Sequence, residues 1–503
     1  MTTRCSRETQ SLSRKRTTRK KNMLRLRTIW WGLLLAGISI GAPAQNASPT
    51  GGNSQAPPTS QTENTTQSGS QGTPPSPAFG QNAPILNPEN PPLSGLDEPS
   101  LEMRLANRSF VSTAIQVGES GDSNANNALG GSRGQAVSHV LGAADLQKFW
   151  PRSDLFLEYL GGVVVGDDRS FFRQMQAVGL EGVTRWRTGQ ATVRDGASYL
   201  PDGSFSASSA GGLPGFGIAT GRLGLGLPGI FHLEEGSVGT VPRFSNLASL
   251  DVVQAITPRS AITVIGAFAN DHFYHNTGNQ LINGDETTFE GGWSHLVSRH
   301  DQVALVYAFQ LFRFPLSVGG EIYNNIINVR YSHVITARMS FIGEVGPQYT
   351  DLLYGLRYTR WSPTGRAVLR YRFPRTFLTV SYEKFLSQGS GFFAGADAQI
   401  AEFTARRPLG RTYELLVETG YSREKRLQSS NSGASSATLF NQGFGGAVLR
   451  KHIGRTWDAL AAYRFSVINF DNPVTFEGAT GKTNHRMIGT IAIEWHPRAV
   501  RIE

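Results

Sequence analysis

Charged residues that alternate with apolar ones are the side chains of this sequence best placed to do chemistry. Alternate side chains of a strand point to opposite faces of a sheet, so the charges would share one face and the apolar residues the other. A basic side chain facing lipid costs roughly 2–4 kcal/mol at the membrane midplane, so the charged face is expected to line a wet interior. The predicted pore-lining residues are Arg185, Arg330, Glu344, Arg366, Arg370, Arg372, Glu383, Glu414, Glu418, Arg464 and Glu494. Glu158, Glu181 and Arg486 follow the same alternation.

These charges allow two arrangements. Arg366, Arg370 and Arg372 share one face of a predicted strand, and Glu414 and Glu418 share one face of another. Opposed basic and acidic walls would create a transverse field that orients polar solutes. The same charges could instead form a lattice of salt bridges that braces or blocks the interior. The sequence leaves both arrangements open.

Motifs for catalysis or cofactor binding are weak. Ser, His and Asp occur, but in no order that makes a defensible catalytic triad. The run Gly224-Leu225-Gly226-Leu227-Pro228-Gly229 matches the dinucleotide pattern without the strand–helix–strand unit that the pattern requires. His272 and His275 are three residues apart and would not share a strand face. We expect no cofactor and no metal, and an outer-membrane enzyme is the less favoured alternative.

The elements that position the charges are strands. From Phe110 to Trp495 the chain reads as eighteen alternating segments, joined by connections that are short and long in turn. Each short connection carries an arginine. They are Pro151-Arg152-Ser153, Arg187-Thr188-Gly189, Pro258-Arg259-Ser260, Ser298-Arg299-His300, Thr336-Ala337-Arg338, Pro374-Arg375-Thr376, Gly410-Arg411-Thr412 and Gly454-Arg455-Thr456. Short turns at one end and long loops at the other are typical of outer-membrane barrels, in which the short turns are periplasmic.

The predicted fold is all-β: a transmembrane antiparallel up-and-down barrel of about 18 strands (16–18). An even strand number would place both chain ends on the periplasmic side. A propeller is the competing architecture, because the arginine turns recur every 35 to 44 residues apart from one interval of 72. A propeller blade needs four short strands in such an interval, whereas here each interval holds two strands of membrane-crossing length.

Aromatic residues mark the end of the predicted barrel that carries the short turns. Trp150, Trp186, Tyr413, Trp457 and Trp495 lie at strand ends on that side. Aromatic side chains collect where a membrane meets water, because they combine an apolar body with a polar edge. We therefore predict that these five form a periplasmic aromatic girdle.

The amino-terminal part of the chain reads as a leader and a tether. Residues 1–44 are predicted to be a signal peptide, with an apolar run after Arg27 and the cleavage-site pattern Ala42-Pro43-Ala44; Met23 is an alternative start. Residues 45–104 are rich in Ser, Gln, Pro and Gly and are predicted to be a disordered periplasmic segment. Residues 105–503 would form the barrel.

Net charge argues against a nucleic-acid partner. The formal charge is +10, but residues 1–44 hold ten Lys or Arg and one Glu, which gives +9 and leaves 10 − 9 = +1 for the rest. The basic surface expected of a nucleic-acid binder is missing from such a chain. The single cysteine, Cys5, lies in the leader, so the mature chain can form no internal disulfide.

The third long connection, residues 200–243, is unusual for a segment left in water. It is rich in glycine and also carries apolar residues such as Phe216, Leu223 and Phe231. A loop folded into the barrel would bury these residues and narrow the passage. We predict such a constriction; a flexible surface loop is the alternative.

Several stretches are similar to a known group of proteins. Ile115-Gln116-Val117-Gly118-Glu119-Ser120-Gly121-Asp122-Ser123-Asn124, Leu157-Glu158-Tyr159-Leu160-Gly161-Gly162 and Arg185-Trp186-Arg187-Thr188-Gly189-Gln190 resemble segments of bacterial outer-membrane β-barrel porin-like proteins. Some of that group are associated with exopolysaccharide export. The resemblance covers roughly residues 91–497 and implies a fold more than a substrate. Residues 497–503 depart from barrels that end on a terminal aromatic.

The function expected from these features is passive transport. We predict a porin-like channel for small polar solutes or saccharides, integral to the bacterial outer membrane, with both termini periplasmic. Expected partners are outer-membrane lipid, the barrel assembly machinery and the solutes; homo-oligomerisation is left open. The alternative is a structural, adhesin or exopolysaccharide-export-associated barrel with an occluded lumen.

Overall fold

The computed structural model describes most of the chain after residue 108. The described residues are 109–131, 134–166, 172–200, 241–274, 281–314, 320–336, 338–354, 356–373, 375–389, 391–427, 437–476 and 479–502. Contacts divide the chain into residues 1–69 and 70–503, and every described residue belongs to the second unit. The predicted signal peptide, the predicted tether and residues 201–240 of the third long connection lie outside the described residues.

The described residues form strands and their connections. The strands are β1 Phe110–Asp122, β2 Gln135–Phe149, β3 Ser153–Gly166, β4 Phe172–Trp186, β5 Gly189–Leu200, β6 Arg243–Thr257, β7 Ser260–Phe273, β8 Gly284–Leu296, β9 Asp301–Arg313, β10 Glu321–Thr336, β11 Met339–Tyr354, β12 Leu356–Arg372, β13 Phe377–Ser387, β14 Ala396–Leu409, β15 Tyr413–Arg426, β16 Leu439–Ile453, β17 Trp457–Phe476, β18 Ala479–Trp495 and β19 Val500–Arg501. No described helix is long and apolar enough to cross a membrane.

The sheet is a closed meander. Each strand from β1 to β18 pairs antiparallel with the next, and β18 pairs with β1, where Gln116 lies opposite Glu494. Closure leaves neither β1 nor β18 with a free edge, which is the condition for a sheet in lipid. The predicted antiparallel barrel of about 18 strands is confirmed. The short β19 extends the seam, with Arg501 opposite Phe110.

Connections differ between the two ends of the barrel. The predicted short connections with arginine all lie at one end, called the turn end, and the others lie at the opposite loop end. Two connections predicted to be long are short. A single residue separates β11 from β12 in the sequence, and two residues separate β17 from β18. The strands of the β11–β12 hairpin continue because their side chains pair, as where Arg357 Nη2 lies 2.6 Å from Asp351 Oδ2.

The outer face of the barrel is apolar. Outward positions along the strands carry many large apolar side chains, among them Val117, Val345 and Ile491, which are 54%, 65% and 72% exposed. An apolar surface that continues around a whole barrel far exceeds the patches that soluble proteins leave in water. Lipid hydrocarbon is the environment that suits this face.

A charge placed in this apolar surface should destabilise the barrel. Ile491 faces outward on β18, four residues from Trp495 at the turn end and eight from the polar Thr483. We expect Ile491→Arg to lower the free energy of unfolding in lipid vesicles by about 2–4 kcal/mol, because lipid cannot solvate a guanidinium. Denaturant titration measures this cost. Thr483→Arg, nearer the rim, is the control, and an equal cost for both variants would contradict a lipid-facing Ile491.

Candidate functional site

The inner face of the barrel is polar, charged and closely packed. Gln116, Asn324 and Glu494 all point inward, and none of them has exposed surface. Burying charges is costly unless they are paired, so the inner face must supply partners for its charged groups. The candidate site is this inner face together with whatever covers it at the two ends.

A charge ladder crosses four neighbouring strands. Arg330, Glu344, Arg366 and Glu383 lie directly opposite one another on β10, β11, β12 and β13. Arg330 Nη2 lies 2.6 Å from Glu344 Oε2, and Arg366 Nε lies 2.8 Å from Glu383 Oε1. The second contact has the distance of an ion pair without hydrogen-bond geometry. Basic and acidic groups thus alternate around the wall.

The alternation of the charge ladder helps to decide between the two arrangements that the sequence left open, opposed acidic and basic walls or a lattice of salt bridges. Asn328 Nδ2 also donates to Glu344 Oε1, at 2.6 Å, so this carboxylate has contacts on both oxygens. Neighbouring charges that neutralise one another produce little field across a lumen. The geometry therefore favours the salt-bridge lattice over separate acidic and basic walls in this part of the barrel.

A chain of hydrogen bonds that ends on the carboxylate of Glu286 lies between the charge ladder and the loop end. Gln310 Nε2 donates to Glu286 Oε1 at 3.1 Å, and Asn324 Nδ2 donates to Gln310 Oε1 at 2.8 Å. Thr350 Oγ1 in turn donates to Asn324 Oδ1 at 3.0 Å. These residues come from β8, β9, β10 and β11 and are buried. Toward the loop end the wall thus joins amide and hydroxyl side chains to a single carboxylate in this chain.

At the turn end, ionic contacts tie the last strands together. Arg450 lies 3.7 Å from Asp458 Oδ2 and 3.9 Å from Glu494 Oε2, and the two carboxylate residues are opposite each other on β17 and β18. His452 Nδ1 is 2.8 Å from Asp458 Oδ1, and His496 Nε2 is 3.5 Å from the same oxygen. This cluster holds the strand that closes the barrel.

The seam is also fixed at the loop end. Arg486 on β18 donates to both oxygens of Asp122 on β1, with Nη2 at 2.6 Å from Oδ2. Asn484 Nδ2 donates to Asn127 Oδ1 at 2.8 Å and thereby pins the β1–β2 connection against β18. All four side chains are buried. These groups join the first and last strands, which suits a structural role.

Other predicted pore-lining residues lie on the same inner face. Arg185 on β4 is paired with Asp154, with Nη1 at 2.7 Å from Oδ2. Glu181 on the same strand lies 3.4 Å from Arg194 Nε. The side chain of Glu158 lies outside the described residues.

The positions predicted on β12 differ in surroundings. Arg370 follows Arg366 on the inner face, opposite Ser340 and Thr379. Arg372 is exposed at the turn end, and its guanidinium carbon lies 5.1 Å from the ring centroid of Phe377. Because β12 ends at Arg372, this side chain stands at the rim of the interior rather than inside it.

Three predicted residues lie on β15 and β17. Glu414 forms an ion pair with Arg406, a residue that the prediction omitted. Glu418 and Arg464 both lie opposite Gly446 of β16, so opposite charges flank a position without a side chain. The partners Asp154, Arg406 and Arg450 were not among the residues predicted from alternation.

Residues 385–398, called the inward hairpin, leave the barrel wall at the loop end. Pairing between β12 and β13 stops where Gly365 lies opposite Lys384, although β13 and β14 stay paired to Ser387 and Ala396. Beyond Gly365, β12 pairs only with β11. The tip of the β13–β14 hairpin is thus free to turn away from its neighbour.

The outer face of the inward hairpin is covered by the barrel's own inner wall. Leu386 continues the outward positions of Val380 and Tyr382, yet it is buried against Phe312, Ile322 and Leu352. Those three residues are cross-strand partners on the inner face of β9, β10 and β11. In addition, Arg360 Nη2 of β12 lies 2.6 Å from Asp397 Oδ2 of the hairpin. Both faces of the hairpin therefore lie inside the barrel.

The hairpin reaches across the barrel. The carbonyl of Gly391 accepts a hydrogen bond of 2.7 Å from the amide of Ile282 in the β7–β8 connection, although four strands separate the two hairpins around the wall. Gly391 has φ +79°, and a Cβ there would lie 2.7 Å from Cζ of Phe273. Only glycine fits this position without strain and steric conflict.

Phe392 is held by three other phenylalanine rings. Its centroid lies 6.0 Å from that of Phe440, 5.3 Å from that of Phe470 and 6.3 Å from that of Phe476, all in edge-to-face geometry. This arrangement suits the quadrupoles of aromatic rings. The neighbouring Phe393 lies 5.7 Å from Phe440. The hairpin tip is thus fastened to β16 and β17 by buried apolar contact.

These residues belong to one apolar assembly at the loop end, called the mouth cluster. Its buried members are Leu129, Val241, Phe273, Leu281, Phe392, Phe393, Ala396, Ala437, Phe440, Ile468, Phe470, Val474 and Phe476. They come from connections and strand ends distributed around the ring. They form one buried apolar contact cluster at the loop end, which includes the tip of the inward hairpin.

The mouth cluster was not anticipated from the sequence. The constriction was predicted in residues 200–243, nearly all of which lie outside the described residues. A comparable signal was present in Gly391-Phe392-Phe393-Ala394-Gly395, where two phenylalanines interrupt a glycine-rich connection. Apolar residues among glycines indicate a buried connection here, as they do in the third long connection.

The five aromatics predicted as a girdle lie at the turn end. Trp150, Trp186, Tyr413, Trp457 and Trp495 are all exposed. Trp457 and Trp495 are cross-strand partners with ring centroids 6.5 Å apart. In the part of the chain that the structure describes, no group of three or more His, Cys, Asp or Glu residues could hold a metal ion.

Comparisons with known proteins indicate no family. No family model matches the chain, and no curated protein matches it. Similar solved structures include OccK2 (OpdF) of Pseudomonas aeruginosa in complex with glucuronate, at 10% identity, 78% of this chain, 98% of that chain and a TM-score of 0.40. A BenF-like porin from Pseudomonas fluorescens Pf-5 has 10% identity, 78% and 99% coverage and a TM-score of 0.39. The FrpB iron transporter from Neisseria meningitidis has 6% identity, 78% and 83% coverage and a TM-score of 0.37.

Proposed function

We propose that this protein is a porin-like channel of the bacterial outer membrane that passes small polar solutes or saccharides. The observation that carries the proposal is the contrast between the faces of a closed barrel: apolar side chains outside and paired charges inside. A membrane barrel without a transport role could have an interior filled with apolar residues. A polar inner face instead supplies hydrogen-bonding groups to a solute.

The inward hairpin defines the state of this channel. In this proposal the hairpin, with Phe392 seated among Phe440, Phe470 and Phe476, obstructs the loop end to polar solutes. Passage requires the hairpin to leave this position. Polar side chains below it would then guide the solute toward the turn end.

The remaining parts of the proposal follow from the barrel. Residues 1–44 act as the export signal and residues 45–104 as a periplasmic tether, while residues 105–503 are the barrel inserted by the assembly machinery. Both ends of the eighteen-strand meander lie at the turn end, which we assign to the periplasm because short turns are periplasmic in such barrels. Self-association is compatible with the apolar outer face and stays a proposal. The chain is assigned no catalytic role.

A second function is favoured by one observation. The mouth cluster and the buried charge ladder fill the interior in a way that would also suit a structural or adhesive barrel with a permanently closed lumen. In that case the ion pairs only brace the wall. The two functions differ in what happens when the hairpin is removed.

Swelling of proteoliposomes separates the two functions. Replacing residues 386–397 with a short Gly-Ser linker removes the inward hairpin and keeps the barrel strands. We expect slow swelling in a monosaccharide for the wild-type protein and a severalfold faster rate for the variant, with a disaccharide slower than the monosaccharide in both. A variant that inserts fully but stays impermeable would refute the channel and leave the structural barrel.

A further inference from the structure

The turn end of the barrel carries a ring of arginines that the channel proposal does not use. Every one of the eight short connections contributes one arginine, and all eight are exposed. We call them the arginine ring: Arg152, Arg187, Arg259, Arg299, Arg338, Arg375, Arg411 and Arg455. No acidic residue occurs in these connections. The ring therefore places one positive charge at each short turn.

Arginines in the ring differ from those of the inner face in their partners. Inner-face residues such as Arg330, Arg366 and Arg486 each have a carboxylate within 2.6 to 2.8 Å. By contrast, no described side chain pairs with a guanidinium of the arginine ring. Eight repeated cations without internal partners are free to bind an external anion.

The position of the ring favours one kind of anion. Trp150 precedes Arg152 by two residues, Trp186 precedes Arg187 directly, and Trp457 follows Arg455 by two. These tryptophans are exposed at the turn end, where aromatic side chains sit at the level of lipid headgroups. A long basic side chain next to such a residue can extend its charge to the phosphate level and keep its methylenes in apolar surroundings.

We propose that the arginine ring binds the phosphate groups of anionic phospholipids in the leaflet that faces the turns. The guanidinium group donates two parallel hydrogen bonds to a phosphate, and this geometry makes arginine better suited to the task than lysine. The ring thereby fixes the depth of the barrel in the bilayer and collects anionic lipid around the turn end. This inference needs only a membrane-embedded barrel and does not depend on transport.

The test compares lipid preference among variants of the full mature chain. The eight ring arginines are changed together to glutamine, and in a second variant together to lysine. Detergent-solubilised protein is mixed with phosphatidylglycerol and phosphatidylcholine, and bound lipid is counted by native mass spectrometry. A cation near a membrane surface raises the affinity for anionic lipid by a factor of about five, so the glutamine variant should lose at least about tenfold in its preference for phosphatidylglycerol. The lysine variant should keep most of this preference.

A matched control keeps the charge and alters the same connections. Thr376, Thr412 and Thr456 each follow a ring arginine directly. Changing these three threonines to glutamine should leave the lipid preference within about twofold, because the electrostatic term is unchanged. An equal loss in the threonine and arginine variants would overturn the proposal.

Two further measurements on the wild-type protein test the proposal if the variant with all eight arginines replaced does not fold. In wild-type protein, raising the salt from 0.05 to 1 M shortens the screening length from about 14 Å to about 3 Å and should abolish most of the preference. A preference that ignores salt would overturn the proposal. Heparin serves as a soluble polyanion: if it binds and excess phosphatidylglycerol does not displace it, the ring is a site for a soluble polyanion instead.

Discussion

Replacing Phe392 and Phe393 together with alanine is expected to raise the single-channel conductance in a planar bilayer severalfold. Both rings are buried in the mouth cluster, and each truncation removes contacts worth about 3–5 kcal/mol. The hairpin would then retain the hydrogen bond between Gly391 and Ile282, the ion pair between Arg360 and Asp397, and the packing of Leu386 on the inner wall. These contacts are too few to keep the hairpin at the loop end, so it moves away and a water-filled path opens.

The control for this variant removes the same number of rings elsewhere. Phe268 and Phe289 are exposed on the outer face of β7 and β8. Changing both to alanine should leave the conductance unaltered, since neither ring reaches the interior. Heat-dependent mobility in gels shows whether each barrel is folded. A folded Phe392/Phe393 variant with the conductance of the wild type would mean that the hairpin does not close the channel.

Glu344→Gln is expected to lower the free energy of unfolding by about 3–5 kcal/mol. Glu344 lies between Arg330 and Arg366 in the charge ladder and accepts hydrogen bonds from Arg330 and Asn328. Removing its charge leaves buried guanidinium groups without a full counter-charge. This costs far more free energy than the ion pair contributes to stability when it is intact. Denaturant unfolding in lipid vesicles, followed by tryptophan fluorescence, measures the change.

An exposed pair in the same barrel provides the comparison. Arg313 Nε lies 3.1 Å from Glu321 Oε1, and these side chains are 56% and 37% exposed. Glu321→Gln should cost less than about 1 kcal/mol, because water already screens the pair. The double change Arg330→Met with Glu344→Gln should be milder than Glu344→Gln alone, since it removes an orphaned charge. If all three variants lose the same stability, the ladder is not a set of buried, mutually compensating charges.

The strands were predictable because the environment repeats. Lipid outside and polar groups inside impose a period of two on every crossing, as in Trp457 and Ile491 outside against Asp458 and Thr490 inside. The arginine-bearing turns gave the strand number. Where strands continued past the expected loop positions, as at β11–β12, the reason was cross-strand pairing such as that of Asp351 with Arg357, which no short-range pattern reveals.

The candidate site was predictable only in part. Alternation placed Arg330, Glu344 and Arg366 on the inner face, but register decides whether such charges meet, and register depends on the pairing of whole strands. Arg372 shows the limit: its parity is inward, yet the strand ends there and the side chain is exposed.

The inward hairpin could not have been placed from alternation at all. Its path depends on the loss of β12–β13 pairing beyond Gly365 and on the seat that Phe440, Phe470 and Phe476 offer to Phe392. These residues are far apart in sequence. Long-range packing of this kind produces no periodic pattern in the sequence. Two adjacent phenylalanines in a polar connection nevertheless indicate that the connection is buried.

Closure of the seam has a consequence for biogenesis. Gln116 lies opposite Glu494, so the contact that completes the ring joins positions 494 − 116 = 378 residues apart. Such distant partners give a high contact order. Closing the long loop between them costs conformational entropy before their pairing contributes any stability. A nascent chain that stops short of β18 leaves two unsatisfied sheet edges, which are templates for aggregation. Translation must therefore finish before this polypeptide can mature, and it has to be kept from self-association until its last strand arrives.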